Sequence, residues 1–165
     1  MPIEALNSLH IIIAQSTTGG TAPGGTVAPT GCTLSSPSDI SPFVTGIQQE
    51  TMANTLNVTT FGSGGFDAFV AGLRSGTLTL NMLNAYAASE LNALIGVNGS
   101  VRSVGSPLTM VVEVRRSSAA RSATNPGFVC AVLNRNFQTF NASVGEVPTV
   151  TWSPQITGGF GELIA

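Results

Sequence analysis

The chain has 165 residues, of which only 8% are charged, where an ordinary soluble domain has about 25%. All six basic residues are arginine, and with eight acidic residues and one histidine the formal net charge is -2. An apolar share of 42% excludes intrinsic disorder, six scattered arginines exclude the usual basic kind of nucleic-acid-binding protein, and no apolar stretch approaches the roughly 20 residues of a membrane span.

The first quarter of the chain combines one apolar stretch with two turn-rich segments. Residues 9–13 form a short apolar run that predicts a strand. Residues 16–29 contain four glycines and two prolines, which is typical of a loop or a flexible arm, and residues 32–42 also predict a loop. We expect the arm to become ordered when the protein assembles, so its deletion should impair assembly and leave the fold intact.

Short β-rich segments begin at residue 43. Residues 43–47 and 55–60 alternate apolar side chains with threonine and asparagine, which predicts two strands. The polar residues 48–54 between them predict a long hairpin loop. Glycines at 62–65 then break the chain, and residues 77–82 show the clearest apolar–polar alternation, which predicts a half-buried strand.

One helix is predicted, over residues 87–97, because Leu91, Leu94 and Ile95 form an i, i+3, i+4 apolar stripe that glycines follow. Three more strands are predicted over residues 109–116, 128–140 and 147–152.

This order of elements predicts a mainly β fold, an antiparallel β-sandwich or barrel of six or seven strands with one packed α-helix. The length suits a single domain. We divide it into an N-terminal strand and arm (1–39), a β-sandwich core with the helix (40–155) and a C-terminal tail (156–165).

No group of residues predicts catalysis, a cofactor or a metal site. Residues 20–26 have the spacing of a phosphate-binding loop, but Thr26 stands where the lysine must be. His10 has no metal-ligand partner at a suitable spacing, and nothing supports a triad with Asp39 or Asp67. The Asn-X-Ser/Thr sequences at 57, 98 and 141 are expected by chance in so polar a chain.

Cys32 and Cys130 are far apart and show no metal-binding spacing, so we expect two buried free thiols in a protein made in the cytosol. The first four residues lack the basic segment of a signal peptide, which agrees with that expectation.

The surface must be covered mainly by neutral polar residues, because the chain has 17 serines, 19 threonines and 11 asparagines. Such a surface is typical of exported bacterial β-proteins. The alternative, which we favour, is burial against other copies of the chain, since interface cores are depleted of charge.

Arg115, Arg116 and Arg121 form the one local group of cations. They are either a small basic patch or ion-pair partners for carboxylates of a neighbouring subunit. We favour the second interpretation, because protein interfaces are enriched in arginine.

The order of motifs over residues 40–155 resembles the major tail tube proteins of long-tailed, non-contractile bacteriophages. The motifs that carry the resemblance are FVTGIQQE at 43–50, LNVTTFGS at 56–63, GLRSGTLTL at 72–80, the helix at 87–97 and GEVPTVTW at 145–152.

The resemblance implies a structural virion protein, not an enzyme and without a cofactor, whose copies close into stacked and probably six-membered rings that form the tube for genome delivery. It implies synthesis in the cytoplasm of the host bacterium and partners among tape-measure, tail-tip and tail-terminator proteins. Double-stranded DNA would pass without specific binding, and no membrane is involved. Candidate contacts between subunits are Gln48, Gln49 and Met52 besides the three arginines, and candidate carboxylates of the lumen are Glu50, Asp67 and Glu90.

Two other functions fit the same composition. One is another structural part of a virion, such as a head–tail joining or capsid-decorating protein. The other is an exported carbohydrate-binding or adhesin-like β-domain, which needs exposed aromatic side chains. Trp152 alternates with Val150 in a predicted strand, so we expect it in the core or in an interface.

Overall fold

The structure is a computed structural model, and it describes residues 9–16, 34–60, 62, 64, 66–84, 91–96, 99–101, 104–105, 110–138 and 141–163. Eight strands and one α-helix occupy these residues. The strands are β1 (His10–Ser16), β2 (Leu34–Asp39), β3 (Val44–Asn57), β4 (Phe69–Leu83), β5 (Met110–Arg115), β6 (Gly127–Leu133), β7 (Thr149–Trp152) and β8 (Gln155–Leu163). The helix α1 (Leu91–Ile95) lies between β4 and β5 in the chain, and a 3₁₀ turn (Ser41–Phe43) leads into β3.

All eight strands belong to one antiparallel sheet in the order β2-β1-β5-β6-β8-β4-β3, and β7 also pairs with β4. The sheet is open, with β2 and β3 at its edges. The prediction of a mainly β fold with one helix is confirmed, and α1 lies within the predicted residues 87–97. Residues 87–90 and 97 of that prediction lie outside the described residues.

The strand count exceeds the predicted six or seven because β2 and β8 occupy segments predicted as a loop and an irregular tail. β2 contains Pro37 and no apolar alternation, and β8 contains three glycines. Neither sequence has the pattern of a half-buried strand. Both are strands because their neighbours β1 and β6 offer ladders of backbone hydrogen-bonding groups.

The inward face of the sheet packs around one hydrophobic core, which the helix also contacts. Residues from β1 and β4, which are not neighbours in the sheet, share this core, so the sheet curls around it. Trp152 is completely buried, as the alternation of β7 predicts, and Cys130 is a buried free thiol, as expected; Cys32 lies outside the described residues. The largest fully buried side chains of this core are Trp152, Ile11, Ile13, Ile40, Leu78, Leu80, Met82, Leu91, Ile95 and Met110.

Asn134 joins the helix to the sheet from inside this core. It is 1% exposed, its Nδ2 donates to the carbonyl of Ile95 at 2.8 Å, and its Oδ1 accepts from Nε1 of Trp152 at 2.9 Å. One amide therefore satisfies a carbonyl at the end of α1 and the indole N–H, two polar groups that are costly to bury unpaired.

β3 and β4 form a long hairpin, and its turn is not where the sequence predicts it. Residues 48–54, predicted as the hairpin loop, lie in the middle of β3 and pair with β4 from Glu50 opposite Thr77 to Ala53 opposite Arg74. The connection runs instead through residues 58–68, where Gly64 has a φ of +63°. Residues 48–54 show no apolar–polar alternation, so the sequence pattern alone cannot distinguish a solvated strand from a loop.

The edge strand β2 departs from regular geometry. Pro37 lacks an N–H group, Ser36 has a φ of +50°, and the register with β1 shifts between Ile13 and Gln15. These features interrupt the row of hydrogen-bonding groups along this edge.

Candidate functional site

The face of the β3–β4–β7 region that points away from the core is lined with hydroxyl and amide groups. The register places Glu50 opposite Thr77, Gln48 opposite Thr79 and Asn81 opposite Thr151. Because side chains alternate along a strand, these positions share one face, while Leu78, Leu80 and Met82 point into the core. We call this surface the polar face; it consists of Gln48, Glu50, Thr77, Thr79, Asn81, Thr149 and Thr151.

Hydrogen bonds between strands hold the side chains of the polar face. Thr151 Oγ1 donates to Asn81 Oδ1 at 3.1 Å, and Thr45 Oγ1 donates to the Asn81 carbonyl at 3.0 Å. Thr79 Oγ1 lies 3.4 Å from the hydroxyl oxygen of Ser153. Glu50, which is exposed, is the one carboxylate on these positions. The polar face is therefore ordered and nearly neutral.

The outer half of the β3–β4 hairpin consists of residues 51–57 of β3 and 69–75 of β4. Among the described residues, nothing packs against either of its faces. Every residue of β3 from Glu50 to Asn57 is exposed. Apolar side chains lie on it in spite of this exposure, including Leu73 at 84% and Phe66 at 80%. We call these side chains the distal patch; its members are Met52, Leu56, Val58, Phe66, Phe69, Val70 and Leu73.

A half-open pocket of about 200 Å³ lies where the outer hairpin separates from β8. Glu50, Met52 and Thr77 line it together with Gln155, whose amide nitrogen donates to the Gly76 carbonyl at 3.0 Å. A Cβ at Gly76 would approach Ile156 Cδ1 to 3.0 Å, so a glycine allows β3, β4 and β8 to meet here. The pocket marks the point at which the hairpin leaves the body of the protein.

The three candidate arginines lie at the far end of β5, away from the polar face. Arg121 binds Glu113 with two hydrogen bonds, from Nε at 2.7 Å and from Nη2 at 2.9 Å. Arg115 Nε lies 3.4 Å from the same carboxylate, and its Nη1 donates to the Ala119 carbonyl at 2.7 Å. Arg116 is exposed. Two of the three cations thus already have a carboxylate of their own chain, and their contact with another subunit stays a prediction.

Glycine at position 127 makes room for this ion pair. Gly127 stands opposite Arg115 in the β5–β6 ladder, and a Cβ there would overlap Glu113 Oε1. Glu113 is only 1% exposed, so its carboxylate is buried where it binds Arg121, and the ion pair joins the connection between β5 and β6 to β5.

The other predicted site residues separate into three groups. Gln48, Glu50 and Met52 lie on one side of β3, while Gln49 is half-buried on the opposite side. Asp67 is exposed in the hairpin connection, 3.4 Å from the Thr59 hydroxyl. Glu90 lies outside the described residues. The positions of Glu50 and Asp67 leave their predicted role in a lumen untested.

The distal patch is the feature that the sequence interpretation missed. A signal was present: residues 66–73 have apolar side chains at both odd and even positions, so no arrangement of an exposed hairpin hides them all.

His10 and two neighbours come together without forming a catalytic triad. Asp39 Oδ2 and Ser41 Oγ both lie 3.4 Å from His10 Nδ1, whereas a triad uses the two ring nitrogens separately. Ser41 Oγ instead accepts from the Ile11 N–H at 2.7 Å and donates to Asp39, which ties β1 to the 3₁₀ turn. Within the described ranges there is no metal-binding group of three His, Cys, Asp or Glu side chains, and no helix with the length and apolarity to cross a membrane.

No family model and no curated protein sequence matches the chain, but its fold matches solved structures. A protein in the tail of an empty gene transfer agent particle, refined with C6 symmetry, aligns with a TM-score of 0.55 at 13% identity over 76% of this chain and 85% of that chain. A chain from the virion of a native gene transfer agent gives 0.55 at 12% identity over 76% and 88%. The SPP1 tail tube structure gives 0.59 at 9% identity over 99% and 80%. The fold that the tail-tube-like motifs imply is therefore confirmed.

Proposed function

We propose that this protein, which shares its fold with proteins of viral and gene transfer agent tails, is a structural subunit of a virion tail. Its copies close into rings, and the rings stack into a tube through which the genome leaves the particle. Support comes from the shared fold and, within this chain, from the uncovered distal patch.

The distal patch supports assembly because the hairpin that carries it exposes apolar side chains to water. A two-stranded ribbon with both faces solvated is marginal on its own. Seven large apolar side chains, each between 45% and 84% exposed, lie on this ribbon. Contiguous apolar patches of this kind mark contact surfaces, so we expect another subunit to cover the hairpin.

The polar face suits the wall of a channel for DNA. Hydroxyl and amide groups that already bond to one another offer few free donors to phosphate, and no arginine lies on these positions. Each copy has a net charge of -2, so six copies in a ring carry -12 and repel the DNA backbone. We assign the polar face to the lumen, with Glu50 as its carboxylate.

A tail tube also explains the deficit of charged residues. Ring closure and stacking both use different surfaces on the two partners, so each subunit is covered on several sides. Surfaces that are covered in the particle do not need the charges that keep separate proteins soluble. Tape-measure, tail-tip and tail-terminator proteins are the partners that a tube requires at its centre and ends.

Electron microscopy of the purified protein tests this proposal. We expect rings and tubes for the wild-type protein. Tubes should be lost when Phe69 and Leu73 are both replaced by serine, because the distal patch then loses two of its large exposed apolar side chains. Replacement of Asn136 and Gln138 by serine, at exposed positions outside the distal patch, is the control and should leave assembly unchanged.

Wild-type protein that stays monomeric at every concentration and salt condition contradicts the proposal. The copy number in native particles separates a tube from a joining protein, because a tube needs many rings and a joint needs one.

A further inference from the structure

The exposed apolar side chains of the described residues fall into two groups at opposite ends of β4. One group is the distal patch. The other, which we call the base patch, consists of Leu83, Val144 and Val147, exposed at 37%, 107% and 66%. Phe69 begins β4 and Leu83 ends it, so the two patches are separated by up to 14 residue steps, about 46 Å.

The base patch is a preformed structure. Leu83 stands opposite Thr149, and the Asn84 N–H donates to the Pro148 carbonyl at 2.8 Å, which brings the 141–148 loop to the end of β4. The loop is closed by bonds from the Thr149 N–H to the Asn141 carbonyl at 3.1 Å and from the Glu146 N–H to the Ser143 carbonyl at 3.1 Å. Gly145, with a φ of +88°, allows the tight turn that presents Val144.

We propose that the distal patch of one copy binds the base patch of a second copy, so that each step of stacking joins the outer hairpin of one subunit to the 141–148 loop of the next. This inference rests on the proposed self-assembly, and it adds that the base patch is the surface to which the distal patch binds.

The position of the two patches decides in favour of a head-to-tail contact. If the distal patches of two copies covered each other, the contact would close after two copies and the base patches would stay exposed. A contact between opposite ends covers both patches and leaves one of each free at the ends of the stack. Such a contact repeats without limit, as a tube requires.

The area available on the hairpin agrees with a second copy as the occupant. The ribbon from Thr51–Gly76 to Asn57–Phe69 covers about seven steps of two strands. It is about 23 Å long and about 10 Å wide, so one face offers on the order of 200 Å² to the base patch. Six such contacts between two rings of the proposed six subunits together exceed the roughly 800 Å² per partner in a stable interface.

Two serine variants and their mixture test this inference. The distal variant is Phe69→Ser with Leu73→Ser, and the base variant is Val144→Ser with Val147→Ser. Thermal unfolding first checks that both keep the wild-type melting temperature, since all four side chains are exposed. Sedimentation and electron microscopy then measure stacking for each variant alone and for an equimolar mixture, with Asn136→Ser/Gln138→Ser as the control.

We expect each variant alone to need at least about a tenfold higher concentration than wild type to form tubes. When the units of each variant are assembled separately and then mixed, the intact base patch of the distal variant meets the intact distal patch of the base variant. The mixture should therefore form a discrete species of twice the mass of the unstacked unit and no longer stacks.

A base variant that forms tubes at the wild-type concentration overturns this inference, and so does a mixture that shows no doubled species. Either result leaves the proposed function standing if the wild-type protein forms tubes. Wild-type protein that forms none contradicts the proposed function itself, so the two failures are distinguishable.

Discussion

Glu113 shows how a single buried side chain decides the role of its neighbours. Val111, Glu113 and Arg115 lie on the face of β5 opposite to the core residues Met110 and Val112. In the structure that side is covered as well, because Val111 and Ala131 are 0% exposed on the same face of β5 and β6. A carboxylate buried there needs a partner, and Arg121 provides it. The sequence shows the arginines but not that their carboxylate belongs to the same chain.

Replacement of Glu113 by glutamine should therefore destabilise the protein. Arg121 and Arg115 would remain near the buried position without a counter-charge. The expected loss is about 3–4 kcal/mol, in the lower part of the range for a broken buried pair, because Arg121 is 24% exposed. Denaturant unfolding measures the loss. Glu146→Gln, on an exposed loop, is the control and should change stability by less than about 0.5 kcal/mol. An equal effect of the two substitutions contradicts the structural role of Glu113.

At the scale of elements, the sequence predicts the strands that bury apolar side chains on at least one face. Residues 77–82 of β4 and the residues of β7 alternate cleanly, and both segments are strands as predicted, whereas residues 69–76 of β4 lie outside the predicted strand. Residues 48–54 of β3 and the edge strand β2 are predicted as loops because neither segment buries an apolar face within one subunit. Residues 48–54 are held in a strand by pairing with β4, which a local pattern does not reveal. The polar face could be predicted from the threonines of β4, whereas its continuation onto β3 required the register.

Hydrogen exchange should separate the two halves of the β3–β4 hairpin. In unassembled protein, we expect the amides of residues 51–57 and 69–75 to exchange at least about a hundredfold faster than those of β5 and β6, because regions with few buried contacts open at low free energy. In assembled tubes the same amides should become protected. Equal exchange before and after assembly would show that another subunit does not cover the hairpin.

At the scale of the whole molecule, the sheet determines where the apolar and the neutral polar surfaces of this weakly charged protein lie. Apolar patches lie at the two ends of β4, and the neutral polar face lies between them on β3, β4 and β7. The overall composition indicated assembly. It could not locate the contact surfaces, because their positions depend on which strands pair and where the hairpin turns.

The assignment of the polar face to a lumen predicts a gain of DNA binding on Thr151→Arg. Thr151 is exposed on that face, and an arginine there places one cation per subunit along the channel wall. Tubes of this variant should retain double-stranded DNA at low salt and release it as salt rises, with a slope of about -0.9 per phosphate contacted. DNA retention and its salt dependence are the measurements.

Ser118→Arg, on the exposed β5–β6 turn, is the matched control for the added charge and should not retain DNA inside tubes. Equal DNA retention by the two variants would place the polar face outside the channel.

The irregular edge strand β2 affects how readily the protein aggregates through the edge of its sheet. A sheet with two open edges can recruit further strands sideways, which leads to uncontrolled fibres. Pro37 and the left-handed backbone at Ser36 deny an incoming strand a continuous row of partners. In the proposed tube the chain polymerises in one direction, and these features of the six-residue strand β2 oppose polymerisation in another.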